Sequence, residues 1–458
     1  MSSGKYDITN GPIVKQILMF FFPILLGTFF QQLYNTADAL IVGNYVGTLA
    51  LGAVGGSSAQ IINLLIGLFV GISTGSAVLI SQFYGAHDGE KVYKTIQTSM
   101  VISIVGGIIL MIVGIVFSKQ MLEMMNTPQE LMAFSQTYLN VYFLGTIPSL
   151  IYNMGSGIIR SMGDSKRPLY FLIVACLVNI MLDVVFVVFF NMQVLGAALA
   201  TIISQFISAV LVIYALSSRY DAYSLNMKKL FIDNEIIKNI IYIGVPTGVN
   251  SVFYSLSNIL IQTSINGFGA ITVAAYTAYG KIDVIYWMTI SAFGVAIMTF
   301  VGQNFGANKL DRIKKGVHAT MGLALVATLI ITSILLLGGN FIFELFTKDQ
   351  EVIRIGMDIL RQLVPYYIAF ICIEIYSGAV RATGDTIIPT IITSLGVVGV
   401  RIVWLLMFTH QSVADVLLVY PISWISTSII YIGYYYHGGW LKRQLVKRDK
   451  MLNKSDMA

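Results

Sequence analysis

Apolar residues run through this chain in long, nearly unbroken stretches, not in the three-to-four-residue rhythm of a helix with one wet face. A bilayer's hydrocarbon core is about 30 Å thick and takes roughly 20 such residues as helix. Twelve segments reach that length: residues 15–43, 54–83, 94–118, 131–158, 168–190, 194–217, 237–266, 272–304, 315–338, 355–379, 387–409 and 414–436. Short polar stretches separate them. The pattern predicts an all-α polytopic membrane protein with twelve transmembrane helices. The opening MSSGKYDITNGPIVKQ is polar and the run after it is too long for a signal-peptide core, so the first helix is expected to be retained.

Composition agrees: 56% of the residues are apolar, 11% are charged, and the mean hydropathy is +0.79. A soluble domain carries about 25% charged residues. The net charge of +6 would suit a nucleic-acid partner, but its distribution argues against one. With a cytoplasmic N-terminus, 22 of the 28 Lys and Arg residues fall on the cytoplasmic side, among them Lys5, Arg219 and the tail KRQLVKRDK. Only Lys119, Lys348, Arg354 and Arg361 fall outside, and Lys281 and Arg401 lie within spans. That bias places both termini in the cytoplasm. The tail reads as a juxtamembrane anchor, with a nucleic-acid or lipid-binding patch as the sharper alternative.

The chain repeats itself. PILLGTFFQQLYN (23–35) matches PTGVNSVFYSLSN (246–258), SQFYGA (81–86) matches GQNFGA (302–307), and RSMGDSKRP (160–168) matches RATGDTIIP (381–389). Six helices correspond to six in the same order, so the copies are parallel. Two six-helix bundles around a central cleft are expected, as in some secondary transporters. The expected organisation is an N-terminal lobe at 1–217, a cytoplasmic linker at 218–236, a C-terminal lobe at 237–436 and a basic tail at 437–458.

Intramembrane ionisable groups are few and costly, and they usually face a cavity. Asp38 follows Tyr34 by four residues and Asn35 by three, which puts all three on one helical stripe. Asp183 in the fifth span follows Asn179 by four. Two carboxylates sharing one cavity do not both ionise easily, which suits a proton carrier. The same oxygens suit Na⁺. The bland alternative is a hydrogen-bonded polar pair that fixes helix packing. At the repeat positions Asp38 becomes Ile261 and Asp183 becomes Trp404, so this site is not duplicated. Lys281, Asp283 and Glu374 form a candidate C-lobe charge site, with structural pairing as the rival reading; Arg401 near Trp404 is a weaker candidate.

Cys176 and Cys372 lie inside spans, and His87, His318, His410 and His437 have no metal-ligand spacing. The sequence contains no phosphate-binding loop, HExxH or TVGYG filter, which disfavours a pump, an enzyme and a potassium channel. Its 51 Tyr and Phe and 20 Met are compatible with binding flat organic cations.

These features resemble the multidrug and toxic compound extrusion (MATE) family, on its DinF-like prokaryotic side. The resemblance spans the whole chain through YNTADALIVG, the paired RSMGDSKRP and RATGDTIIP loops and FVGQNFGA. It implies two bundles that export organic cations and drugs in exchange for H⁺ or Na⁺, without a cofactor. The expected setting is the bacterial or archaeal cytoplasmic membrane, with the lipid bilayer and small molecules as partners, no nucleic acid, and a monomeric state. On the family pattern the coupling site corresponds to Asp38, Asn179, Asp183 and Thr201. The cavity wall corresponds to Gln31, Tyr34, Tyr138 and Asn153, with Asn35 beside them. The acid that the NorM-like branch carries in span seven has no counterpart in residues 244–268, and Glu374 stands as a shifted candidate. A Na⁺-coupled antiporter on the same oxygens and a flippase of lipid-linked oligosaccharides are the alternative functions.

Overall fold

The computed structural model describes residues 8–218, 223–408 and 411–455, with side chains described as far as Arg448. Lys5, Arg219 and His410 lie outside the described residues. There is no strand among those described. The helices are α1 (Ile13–Tyr45), α2 (Thr48–Gly85, interrupted at Gly56), α3 (Gly89–Met124), α4 (Gln129–Leu144 and Thr146–Ser161), α5 (Lys166–Phe189) and α6 (Gln193–Ser218). The second set is α7 (Asn234–Asn266), α8 (Ala270–Gly306), α9 (Leu310–Glu344), α10 (Gln350–Arg381), α11 (Ile387–Met407) and α12 (Val413–His437), followed by α13 (Trp440–Ser455).

Eleven of the first twelve are long and apolar enough to cross a bilayer. The exception is α4, which Gly145 divides into two pieces of 16 residues. At 1.5 Å per residue neither piece alone covers about 30 Å, whereas the two in succession do. Large apolar side chains on the outer faces remain open, Leu337 at 89% and Leu406 at 77%, because their solvent is lipid.

The repeat is visible in the backbone. Gly163 and Gly384, in the paired Gly-Asp motifs, have φ of 99° and 92°, a region glycine enters without steric cost. The aspartates that follow are structural. Asp164 Oδ1 accepts from the amides of Lys166 and Arg167 at 3.1 and 3.2 Å, which caps α5. Asp385 accepts from Tyr434 Oη at 2.7 Å and lies 3.7 Å from Arg443, which ties the tail helix down. Buried Trp440 and the bond from Arg448 Nη1 to the Phe305 carbonyl (3.1 Å) complete that docking.

The chain divides into two compact units, but not at the linker. One contains Phe22–Gly248; the other contains Thr9–Phe21 and the chain from Val249 onward. Each division falls within a few residues of an intrahelical proline, Pro23 or Pro246. In the first unit the start of α7 packs backbone to backbone on α2: a Cβ added at Gly71 would sit 2.2 Å from Gly248 N, and one at Gly75 2.5 Å from the Ile240 carbonyl. This is the close approach that small residues four apart permit in lipid. In the second unit the start of α1 stacks Phe21 on Phe293 at 4.0 Å.

Candidate functional site

α1, α5 and α6 of the first unit bring the sequence-selected residues together. Asp38 is 7% exposed, Thr201 2%, and Asn179 and Asp183 are wholly buried. The Asp38 carboxyl meets the side chains of Asp183, Asn179 and Thr201. Thr201 Oγ1 donates to the Ala197 carbonyl at 2.9 Å and lies 3.5 Å from Asp38 Oδ2. Asp183 closes the regular part of α5, immediately before a π-helical segment, Val184–Phe189. Such segments recur at functional sites because they re-aim side chains out of helical register.

Polar atoms in this cluster are left without partners. Asp38 Oδ1, both carboxyl oxygens of Asp183, both amide atoms of Asn179 and the Tyr34 hydroxyl are buried and make no hydrogen bond. Each unmade bond costs about 1–3 kcal/mol, and more where the group is charged. A proton or a small cation in this cluster would give these atoms partners. Its donors are all oxygen apart from one amide nitrogen, which fits H⁺ or a hard cation equally.

The cluster has two layers. Asp38 and Thr201 line a cavity of about 490 Å³, together with Gln31, Tyr34, Asn35, Tyr138 and Asn153. Asn179 and Asp183 do not line it; they lie behind Asp38. Asp38 is therefore the contact between the cavity and the buried pair. Tyr142 and Gln205 also line the cavity and were missed in the sequence. Each follows a selected residue by four positions, Tyr138 and Thr201 respectively, and that spacing was the signal available.

The second unit is chemically different. Ile261 is fully buried in place of an aspartate, and Trp404 Nε1 donates to the Asp415 carbonyl at 2.9 Å. Lys281, Asp283 and Glu374 do not form one charge cluster. Lys281 is exposed and is in none of the ion pairs among the described residues. Asp283 accepts from Trp287 Nε1 at 2.6 Å and from the Tyr367 hydroxyl, which also bonds Tyr279 at 3.0 Å. Glu374 lies against α8, so close that a Cβ at Gly294 would fall 2.1 Å from its Oε1.

A duplicated six-helix membrane fold with one carboxyl lining a ligand-sized cavity and a second behind it is the build of a secondary transporter. The chain belongs to the MatE family, whose model matches residues 23–185 and 246–407, one stretch in each repeat; its members are membrane transporters. A Bacillus subtilis protein described as a probable multidrug resistance protein, YoeA, is 27% identical over 94% of this chain and 95% of its own length. The multidrug export protein MepA of Staphylococcus aureus is 23% identical over 88% of this chain and 89% of its own. A solved MOP-superfamily transporter from Pyrococcus furiosus superposes with a TM-score of 0.89 at 21% identity, covering 96% of this chain and all of that one. An outward-facing multidrug resistance MATE transporter gives the same TM-score at 21% identity, over 97% of this chain and all of that one. At that identity the two structures speak for the fold.

Proposed function

We propose that this chain is a multidrug efflux antiporter that exports amphipathic organic cations across the cytoplasmic membrane in exchange for protons, with both termini inside. The observation that carries the reading is the contact of Asp38 with both the cavity and the buried Asp183. A cation in the cavity and a proton on the Asp38/Asp183 pair compete for the same negative charge. The substrate enters from the cytoplasm with Asp38 ionised. After the change to outward access, a proton from outside neutralises the pair and the cation leaves. The return step carries the proton inward. The names of the Bacillus and Staphylococcus relatives support export of drugs.

Proton coupling is favoured over Na⁺ because two carboxyls in side-chain contact hold together only when one keeps its proton. The oxygen set of Asp38, Asn179, Asp183 and Thr201 keeps Na⁺ as the second reading. A pyrophosphate-bearing lipid is disfavoured, since the cavity carries an aspartate and no Lys or Arg. Exchange of one proton for one monovalent cation moves no net charge. Its drive is the pH difference, about 1.4 kcal/mol or tenfold in substrate ratio per pH unit.

Proteoliposomes loaded with ethidium test this, with pH and Na⁺ gradients imposed separately. The expected result is transport driven by the pH gradient without Na⁺, abolished in Asp38→Asn and Asp183→Asn, and unchanged when valinomycin clamps the potential. Transport driven by Na⁺ with the pH gradient collapsed would falsify the proton assignment.

A further inference from the structure

The second unit buries a charge that the exchange described above does not use. Arg401 on α11 is 2% exposed, and no carboxylate among the described residues lies within ion-pairing distance of it. Its guanidinium makes three long bonds to neutral oxygens: Nε to Ser423 Oγ at 3.5 Å, and Nη1 to Ser257 Oγ at 3.4 Å and Asn258 Oδ1 at 3.2 Å. Nη2 donates to no atom among the described residues. The rings of Tyr420 and Tyr254 lie 4.5 and 5.9 Å from the guanidinium carbon. These faces favour a cation but carry no counter-charge. A buried, unpaired arginine inside a membrane span is costly, and such residues occur where a ligand or pathway uses them.

The repeat indicates which way this group faces. At the offset that aligns Pro23 with Pro246, Gln31 corresponds to Tyr254, Tyr34 to Ser257 and Asn35 to Asn258. In the first unit those α1 residues line the 490 Å³ cavity beside Asp38. In the second unit Asn258 is exposed, with Ser251, Ser255 and Gln262 on the same stripe of α7. Arg401 lies against this polar stripe of α7, bonded to Ser257 and Asn258 beside the Tyr254 ring, with Nη2 left without a partner among the described residues.

We propose that Arg401 anchors an anion subsite in the C-terminal unit, taking the carboxylate of an amphipathic substrate. The proposal rests on the efflux reading and deepens it by naming the residue that meets the anionic end of a substrate. Carboxylate is the anion of choice because the planar guanidinium matches it with paired N–H donors.

Rhodamine B and its ethyl ester share one xanthylium cation and differ by a free carboxylate. Binding of each to the purified full chain is read by fluorescence anisotropy. The wild type is expected to bind the acid about tenfold or more tightly over the ester, the effect of one charge-assisted contact. In Arg401→Gln that ratio should collapse to about one. Sodium benzoate should displace the acid from the wild type, while benzamide and sodium chloride at equal concentration should not. Equal wild-type affinity for both dyes overturns the proposal, as does a ratio that survives in Arg401→Gln. If that variant does not fold, benzoate competition on the wild type decides, and failure of benzoate to displace the acid, or equal displacement by chloride, overturns it. Binding of neither dye overturns the efflux reading and this inference together.

Discussion

Replacing Thr201 by valine separates the two coupling chemistries that the Asp38 cluster admits. Its hydroxyl lies 3.5 Å from Asp38 Oδ2, and its proton is directed to the Ala197 carbonyl at 2.9 Å. An ordinary O–H···O bond is about 2.7–2.8 Å, so the contact to Asp38 is stretched by about 0.7 Å. A well-made hydrogen bond contributes about 1 kcal/mol net, and a stretched one contributes less. If a proton is the coupling ion, the loss to the site stays under about 1 kcal/mol, which is less than about fivefold in rate or affinity. If Na⁺ is the coupling ion, Thr201 supplies one of very few neutral ligands. Its removal should then cost about 1.5–3 kcal/mol, a factor of ten or more. The assay is the initial rate of ethidium transport in proteoliposomes, driven by a pH gradient without Na⁺ and separately by a Na⁺ gradient with the pH gradient collapsed, with Asp38→Asn as the inactive reference. The expected rate for Thr201→Val is within fivefold of wild type. A folded Thr201→Val protein as inactive as Asp38→Asn would refute the reasoning.

Other expectations concern the frame around the site. Gly71→Val places a Cβ 2.2 Å from Gly248 N, a backbone atom that cannot swing aside. Separating α2 from the start of α7 should cost at least about 1–3 kcal/mol, seen as a lowered midpoint of thermal aggregation; an unchanged midpoint would count against that packing. Asp164→Ala removes the acceptor of two α5 amides and the 3.2 Å pairing with Arg167. It should destabilise by about 1–2 kcal/mol in thermal unfolding while the apparent KM for ethidium stays near wild type. A changed KM with unchanged stability would give the motif a role in transport instead. Tyr367→Phe leaves Asp283 with Trp287 as its remaining hydrogen-bond donor among the described residues, so a shift in tryptophan emission is expected without loss of proton coupling; loss of coupling would move Asp283 into the exchange site.

Much of the fold was legible in the sequence because lipid imposes a strong pattern on it. Long apolar runs gave twelve spans, and the paired motifs gave the repeat. Gly145 was harder to read, since a glycine in an apolar run signals weakly and the break appears only in the backbone. The assignment of Thr9–Phe21 and Val249 onward to one unit was hidden for a different reason. Repeat boundaries follow evolutionary duplication, whereas packing follows which helix faces meet. In the site, helical spacing brought Asp38 to its stripe with Tyr34 and Asn35, and Asp183 to its stripe with Asn179. Spacing could not tell that Asp183 lies behind Asp38, because depth from a cavity is a property of three helices at once. For the same reason spacing left open which carboxylate, Asp283 or Glu374, would meet Lys281. Lys281 and Asp283 are neighbours in sequence, yet only Asp283 turns into the tyrosine cluster.

Duplication and function pull in different directions here. The backbone keeps the repeat in detail: His87 and Asn308 take φ of 58° and 57° at matching turns, and Gly47 and Gly269 take 114° and 95°. The buried charges do not follow it. Asn35 stands beside a buried acid, while its counterpart Asn258 bonds a buried guanidinium. Were the Asp38 site duplicated, one cation would have two competing sites and a proton arriving at either would release it incompletely. On the proposed reading, the single acid lining the cavity, Asp38, gives the exchange one titrating centre. The other unit is then free to hold a group of the opposite sign, the guanidinium of Arg401. On this view the asymmetry assigns coupling to the first unit and substrate choice to the second. It follows that changes at Asp38 or Asp183 should alter the dependence on the driving ion for every substrate, whereas changes at Arg401 should reorder substrates and leave that dependence intact.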